Sequence, residues 1–200
     1  MKYKYITIER EYGSGGTKIA RMLSEQTGIS CYGHEILEEV SRKYDVSVDK
    51  IESYEENSTG SFLYSVYMMA QAASGSAEML TKEGHIYVAE QAVIQHFAAN
   101  GPAIFLGHCA SEALKKQRGV VNVFIRCTDT EKKKRRIIQD YCIPAEKAEA
   151  VCRRYDKKRS NYYYSNTSKK WDDLKNYDIV FDTGKLDIES CVKILKAIMG

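Results

Sequence analysis

A group of glycines with a serine and a threonine is the most chemically informative part of the sequence. The group separates a short β-branched apolar stretch from a segment with helical apolar spacing. Glycines let a turn adopt conformations that other residues avoid, and the first turn of a helix carries backbone N–H groups without intrahelical partners. Together with the positive end of the helix dipole, these N–H groups attract a phosphate. The spacing therefore predicts a phosphate-binding loop made of Gly13, Ser14, Gly15, Gly16 and Thr17.

This loop differs from the common G-x-x-x-x-G-K-[ST] pattern in its charged residue. Gly16 stands at the lysine position, whereas Thr17 keeps the hydroxyl that ligates Mg²⁺ in such loops. Two cations lie close by: Arg10, whose guanidinium can grip phosphate oxygens with two N–H groups, and Lys18, which stands one or two positions late. Two alternatives stay open, because the acidic neighbours of Arg10 could pair with it and the glycines could serve packing alone.

A second group of charged residues lies further along the chain, in the basic run that contains Arg153 and Arg159. Asp156 is on the same helical turn as Arg159 and can orient its guanidinium, whereas Arg153 shares that side of the helix only roughly. The run either binds an anion or forms an exposed helix with ion pairs of its own, since Glu146 and Glu149 are within reach.

One histidine is a candidate by its position. His108 follows the buried apolar stretch at 103–106 and a glycine. In an open α/β sheet, ligands bind outside the carboxyl ends of the strands. We therefore expect His108 at a binding site. Further on, the basic helix after the strand at 120–126 could turn one arginine of the pair Arg135 and Arg136 inward, with most of its charges left in solvent.

The elements that must position these residues alternate between strand and helix. Apolar alternation or short buried runs predict strands around Ile6 and Ile8 and at 28–32, 103–106, 120–126 and 177–182. Helical spacing predicts helices after the loop, at 34–44, 61–73 and 77–99, from Asp129, and at 144–164 and 187–199, with an acidic loop at 45–60. Such alternation implies a parallel sheet with helices on both faces.

Composition limits the function classes. The chain has 200 residues, 44% hydrophobic, with two prolines and no low-complexity linker, which fits one domain. It has no apolar stretch long enough for a signal peptide or a membrane span, so we expect a cytoplasmic protein without a membrane partner. Its six cysteines contain no CxxC pair, which argues against zinc and disulfides. A net charge of +3 makes nucleic acid an unfavoured partner.

Seven motifs are spread over almost the whole length of the sequence. They are ITIEREYGSGGTKIA at 6–20, SFLYS at 61–65, AIFLGHCA at 103–110, VFIRCTDTEKKKRRI at 123–137, DKKRSNYYY at 156–164, KKWDD at 169–173 and NYDIVFDT at 176–183. In these motifs the chain resembles the cytidylate kinase-like family of P-loop nucleoside monophosphate kinases.

The resemblance implies a fold and an activity. The expected fold is a P-loop kinase-like α/β three-layer sandwich with a five-stranded parallel sheet in a single domain, 1–200. A small helical acceptor region at about 33–76 and a lid at about 140–170 are expected within it. The expected activity is ATP- and Mg²⁺-dependent transfer of the γ-phosphate to CMP, dCMP or a similar small acceptor. The family's loop also commonly lacks the lysine.

The resemblance also suggests roles for residues. Gly13 to Thr17 would hold the donor phosphates, with Thr17 on the metal, and the expected catalytic residues are Arg10, Lys18, Arg153, Asp156 and Arg159. The family usually has an Asp-Arg pair where this chain has Gly33 and His34, and an arginine where it has His108. His34 and His108 are therefore the candidate acceptor-binding residues, and an acceptor other than a nucleotide remains an alternative.

Two alternatives belong to other functional classes. A nucleotide-binding regulatory module could keep the loop without efficient transfer. The basic runs, with the tyrosines at 162–164, could form a single-stranded RNA surface, although the small net charge argues against it. Small-molecule nucleotides are the expected partners, and the oligomeric state, including a homo-oligomer, stays open.

Overall fold

Five parallel strands form the centre of the protein. The computed structural model describes residues 3–56 and 82–199. Within these residues the strands are β1 (Tyr5–Arg10), β2 (Ser30–Tyr32), β3 (Ala103–Leu106), β4 (Val120–Arg126) and β5 (Ile179–Asp182). Their order in the sheet is β2-β3-β1-β4-β5, and each neighbouring pair is parallel. The glycine loop therefore leaves the central strand, between the carboxyl ends of β3 and β4.

Helices connect the strands. They are α1 (Gly16–Thr27), α2 (His34–Tyr44), α3 (Val48–Glu56), α4 (Lys82–Ala99), α5 (Ala110–Ala113), α6 (Thr130–Tyr141), α7 (Ala148–Thr167) and α8 (Ile188–Met199). A 3-10 turn at Leu174–Asn176 precedes β5. The predicted cap of α6 is confirmed, since the Asp129 carboxylate accepts a hydrogen bond of 2.9 Å from the Lys132 amide. None of the described helices is long and apolar enough to cross a bilayer.

Two apolar layers cover the sheet, and alternation along the strands explains both. Ile6 and Ile8 point to the layer made by α1 and α8, where Leu23 and Leu195 are fully buried. Phe105 points to the opposite layer, made by α2, α3 and α4. The predicted α/β fold with a five-stranded parallel sheet and helices on both faces is confirmed.

One segment was predicted wrongly. Residues 45–60 read as an acidic loop, yet Val48–Glu56 is helix α3. Asp49 and Glu52 are exposed, while Ile51 is fully buried in the layer with α2 and α4. Tertiary packing of this one apolar residue, with Val48 beside it, outweighs the polar composition. The helix predicted at 61–73, and part of the expected acceptor region, lie outside the described residues.

Candidate functional site

The glycine loop makes a tight turn between β1 and α1. Gly13 has φ 73° and Gly15 has φ 84°, in the left-handed region that favours glycine. A Cβ atom on Gly13 would lie 2.7 Å from Cγ1 of Ile137, and one on Gly16 would lie 2.6 Å from Cβ of Arg10. The loop therefore needs glycine both for its backbone conformation and for its close packing on α6 and β1.

The loop ends at a helix N-terminus that suits an anion. No side chain caps α1, and its first turn contains no acidic residue. Thr17 and Lys18 lie on this turn and are both exposed. The Gly16 amide donates to Ser14 Oγ at 3.3 Å, and the positive end of the helix dipole lies at this turn with the exposed Thr17 hydroxyl beside it. These residues fit the phosphates of a nucleotide, with Thr17 as the hydroxyl available to Mg²⁺.

Residues from the second half of the chain hold the loop in place. The Arg136 guanidinium donates from Nη1 to the Ser14 carbonyl oxygen at 3.0 Å and to Thr183 Oγ1 at 2.8 Å. The Thr183 hydroxyl, which is fully buried, donates to the same Ser14 oxygen at 2.6 Å. Arg136 is thus the arginine of its pair that turns inward, and Arg135 is exposed. The position of Arg136 also brings a positive charge close to the loop.

A second set of contacts ties the loop to α7. Asp156 Oδ1 accepts a hydrogen bond of 2.6 Å from the Tyr12 amide, and the Tyr12 ring stacks on Tyr155 with centroids 4.7 Å apart. Lys133 lies between two carboxylates, with Nζ 3.0 Å from Glu11 Oε2 and 3.4 Å from Asp156 Oδ2. Although burial lowers it, these carboxylates raise the pKa of Lys133 overall, so Lys133 stays charged.

A cleft of about 340 Å³ opens beside the loop, at the carboxyl ends of β1 and β3 and under α7. Its volume suits a small molecule. Polar side chains from four separate segments meet in it, as expected at the edge of a parallel sheet. The cleft is lined by Glu9, Arg10, Glu52, Gly107, His108, Tyr155, Lys158, Arg159, Tyr162 and Tyr163.

Arg10 and Arg159 meet at the end of β1. Arg159 Nη1 donates to the Arg10 carbonyl oxygen at 3.0 Å, and its guanidinium lies over the Tyr12 ring, 5.5 Å from the centroid. The Arg10 side chain runs past Gly16 towards Gly107, where a Cβ atom would lie 2.6 Å from Arg10 Nη1. Asp156 Oδ1 lies 3.8 Å from Arg159 Nη1, as the sequence spacing suggested. The structure thus brings three predicted catalytic residues together.

Glu9 places a carboxylate in the wall of the cleft. The side chain is nearly buried, and its Oε2 accepts a hydrogen bond of 3.2 Å from Trp171 Nε1. Burial raises the pKa of Glu9, and the neighbouring Arg10 guanidinium partly offsets this effect. Glu9 and Arg10 both line the cleft, so they bring charges of opposite sign to it.

His108 lies against a buried carboxylate. Its backbone has φ 56°, and its carbonyl oxygen accepts a hydrogen bond of 3.0 Å from Gln91 Nε2. His108 Nδ1 is 3.7 Å from Oε2 of Glu90, which is fully buried on α4. The Tyr162 hydroxyl donates to the same Glu90 oxygen. His108 is therefore held between β3, α4 and α7, at the side of the cleft.

Four predicted catalytic or acceptor-binding residues are not in the cleft lining, and of these Asp156 lies beside Arg159, whereas the other three lie apart. Arg153 is exposed and pairs with Glu149 on the outer side of α7. Lys18 is exposed on α1. His34 is exposed at the start of α2, where its ring nitrogens lie 3.7 Å from Glu38 and Glu52, and only Glu52 reaches the cleft.

Other site residues were missed by the sequence reasoning. Glu90, Trp171 and Thr183 take part only through contacts across the fold. A signal existed for one of them, because Thr183 directly follows β5, at the same carboxyl edge that singled out His108. Among the described residues, no cluster of three or more His, Cys, Asp or Glu side chains could hold a metal ion by itself.

Comparison with protein families gives one match. The sequence model of the cytidylate kinase-like family matches residues 5–185. This range includes the loop, the cleft and the residues of α6 and α7 that contact the loop. No curated protein matches the sequence.

Solved structures share the fold. An uncharacterized protein from Eubacterium ventriosum superposes with a TM-score of 0.71 at 23% identity, over 98% of this chain and 97% of the other. The protein TT1252 from Thermus thermophilus gives a TM-score of 0.53 at 13% identity, over 100% and 97% of the two chains. Shikimate kinase from Bacteroides thetaiotaomicron gives 0.50 at 11% identity, over 98% and 97%. At these identities the likeness concerns the fold.

Proposed function

The chain belongs to the cytidylate kinase-like family, and from this premise we propose that it transfers the γ-phosphate of ATP to CMP, dCMP or a similarly small acceptor held in the cleft beside the loop. Family membership supports a phosphotransferase of the nucleotide kinase type. The observation that carries the proposal is the arrangement of an uncapped helix N-terminus next to a cleft lined by arginines. Phosphoryl transfer needs mainly positioning and compensation of negative charge, and this arrangement offers both.

The donor end of the site is the glycine loop. Its first-turn amides would hold the phosphates, and Thr17 would supply a metal ligand. When bound, Mg²⁺ would neutralise charge on the donor phosphates. Arg136 holds the loop carbonyls inward, so that the amides on the other side of the turn can face an anion. With the lysine of the usual pattern missing, Arg10 is the cation best placed to compensate, because it lies between the loop and the cleft.

The acceptor end is the cleft itself. Lys158 and Arg159 enter it from α7, and Arg159 is fixed by the Arg10 carbonyl oxygen and the Tyr12 ring. We assign the lid role to α7, within the predicted segment 140–170, because this helix closes the cleft while Asp156 and Tyr155 attach it to the loop. The acceptor region at 33–76 would contribute Glu52.

An alternative is a nucleotide-binding module that binds ATP but transfers phosphate poorly. The observation in its favour is that His34 and His108 occupy positions where the family usually has charged residues. Arginines stay charged at every physiological pH, whereas a histidine is largely neutral near pH 7. Such a module would bind ATP and release little ADP.

The experiment is an ADP-release assay with ATP and Mg²⁺, run with CMP, dCMP, UMP and AMP as acceptors and alongside a direct ATP-binding measurement. Thr17→Ala removes the proposed metal ligand, and Thr17→Ser is its matched control because it keeps the hydroxyl. Acceptor-dependent turnover that Thr17→Ala abolishes and Thr17→Ser retains supports the proposal. ATP binding without ADP release supports the module, and the absence of ATP binding contradicts both.

A further inference from the structure

The described residues that line the cleft carry a nearly balanced set of charges, unlike a site built only for phosphate. Arg10, Lys158 and Arg159 bring three positive charges, and Glu9 and Glu52 bring two carboxylates. The formal balance of these described residues is +1. A nucleoside monophosphate carries a dianionic phosphate, which the two carboxylates would repel at close range. Carboxylates accept hydrogen bonds from hydroxyl groups, so the lining suits a monoanion that also carries hydroxyls.

The imidazole of His108 points to the same class of molecule. A phosphate acceptor is already ionised near neutral pH, because its second pKa is about 6. An alcohol must lose its proton during transfer and needs a base to take it. His108 lines the cleft with Glu90 behind its Nδ1, and histidine is the side chain whose ordinary pKa suits this task best.

We propose that the acceptor is a small hydroxylated monoanion, phosphorylated on a hydroxyl group, and that His108 is the base that receives the hydroxyl proton. The inference rests on the proposed kinase function and selects one class among its acceptors. Glu90 is a positioning residue in this account. At 3.7 Å it makes an electrostatic contact with Nδ1 and not a hydrogen bond, and this contact strengthens once the imidazole is protonated.

The step balances without any further reactant. The acceptor oxygen forms a bond to the γ-phosphorus, and the bond between that phosphorus and the bridging oxygen breaks, so that ADP leaves with the electron pair. The hydroxyl proton passes to His108. With the Nδ1 proton directed to Glu90, the basic nitrogen is Nε2. The imidazolium then returns its proton to water. The products are a phosphate monoester and ADP.

The protonation of His108 depends on its charged surroundings. Carboxylates favour the imidazolium and cations disfavour it. Among the described residues, the charged groups that contact it or share the cleft with it are Glu90 on α4, Glu9 and Arg10 on β1, Glu52 on α3, and Lys158 and Arg159 on α7. Tyr162 contributes a hydroxyl that is already bound to Glu90.

The test compares two classes of acceptor and identifies the product. Wild-type protein with ATP and Mg²⁺ is assayed with CMP and dCMP, with D-glycerate, L-lactate and D-gluconate as hydroxylated monoanions, and with no acceptor added. In the reaction without an added acceptor, water is the nucleophile that carries the O–H group. Phosphorus NMR separates a phosphate monoester from the phosphoanhydride that transfer to CMP would give.

Three variants test the base. His108→Gln keeps a polar side chain of similar length and should lower transfer to hydroxyl acceptors, water included, by about 100- to 10,000-fold. The rate should increase with pH as the imidazole loses its proton. Glu90→Gln should shift the midpoint of this increase to lower pH, because loss of the carboxylate makes the imidazole less basic. His96→Gln is the matched control, since His96 is an exposed histidine on the same helix as Glu90, and it should behave as wild type.

The outcomes separate the two proposals. The inference is supported if the wild-type protein forms a monoester from a hydroxy acid, or slowly hydrolyses ATP, and if His108→Gln suppresses this reaction while His96→Gln does not. CDP formation from CMP at an unchanged rate in His108→Gln overturns it and leaves the proposed function standing. Hydrolysis that is equal in wild type and His108→Gln also overturns it. If ATP binds and no ADP forms even with water, the proposed function fails together with the inference.

Discussion

Removal of the Thr183 hydroxyl tests whether the loop depends on its distant anchors. The hydroxyl donates to the Ser14 carbonyl oxygen at 2.6 Å and accepts from Arg136 Nη1 at 2.8 Å, in a fully buried position. Thr183→Val keeps the shape of the side chain and removes both hydrogen bonds. We expect the variant to fold and to hold its glycine loop less firmly.

The magnitude follows from the partners that remain. A neutral hydrogen bond contributes about 0.5–1.5 kcal/mol and one from a charged donor about 1.5–3 kcal/mol. The loss is smaller than the sum, since Arg136 Nη1 still donates to the Ser14 oxygen at 3.0 Å. We therefore expect the free energy of unfolding to fall by about 2 kcal/mol. For a chain of this size the melting temperature should fall by about 4–8 °C.

The assay is a urea titration of wild type, Thr183→Val and Thr183→Ser, with the midpoints compared at constant slope. Thr183→Ser is the control because it keeps the hydroxyl. ATP binding, measured on the same samples, should weaken in the valine variant only. A valine variant within about 0.5 kcal/mol of wild type, or a serine variant equally destabilised, would refute the idea that the hydroxyl anchors the loop.

The remaining predictions concern the cleft. Gly107→Ala should lower the free energy of unfolding by about 1–2 kcal/mol, because φ of Gly107 is 84°. It should also raise the KM for the acceptor, because the new Cβ displaces the Arg10 guanidinium. An unchanged KM would contradict this geometry. Arg159→Ala should lower kcat/KM about ten- to hundredfold, whereas Lys157→Ala on the exposed side of α7 should not, and steady-state kinetics of the two variants decide this. Burial raises the folded-state pKa of Glu9 above 4.5, so the folded protein binds the extra proton and wild-type stability falls as pH rises through that window. Glu9→Gln should therefore gain stability relative to wild type as pH rises above 4.5. If the difference in free energy of unfolding between the two proteins does not change with pH, the pKa of Glu9 is not raised.

The sequence was sufficient for the sheet and for the loop because both depend on local patterns. Ile6 and Ile8 alternate with polar residues, and the glycines follow them directly, so neighbouring residues alone predict a strand that ends in a tight turn. The α3 helix could not be predicted from local patterns. Its apolar signal consists mainly of Val48 and Ile51, which is too little to reveal a helix whose stability comes from packing.

The partners within the site could not be derived in this way. Glu9 was read as a possible partner of Arg10, its neighbour, yet its hydrogen bond goes to Trp171, 162 residues further along the chain. The run of basic residues in α6 gave no means to tell which would turn inward, because Arg136 is selected by the loop carbonyls that it meets in three dimensions. Sequence spacing did place Asp156 beside Arg159, since both lie on one helical turn.

The anchoring of the loop by Thr183 has a consequence for synthesis of the chain. The loop leaves the ribosome early, while the hydroxyl that holds Ser14 follows 169 residues later. At roughly 5–20 residues per second, this interval is about 8–34 s. Even the strands on either side of β1 are made long after it, since β3 begins at Ala103 and β4 at Val120. The nascent protein therefore lacks the Thr183 anchor of its phosphate loop until β5 and the residue that follows it have emerged, and the loop reaches its full stability only after synthesis has passed residue 183.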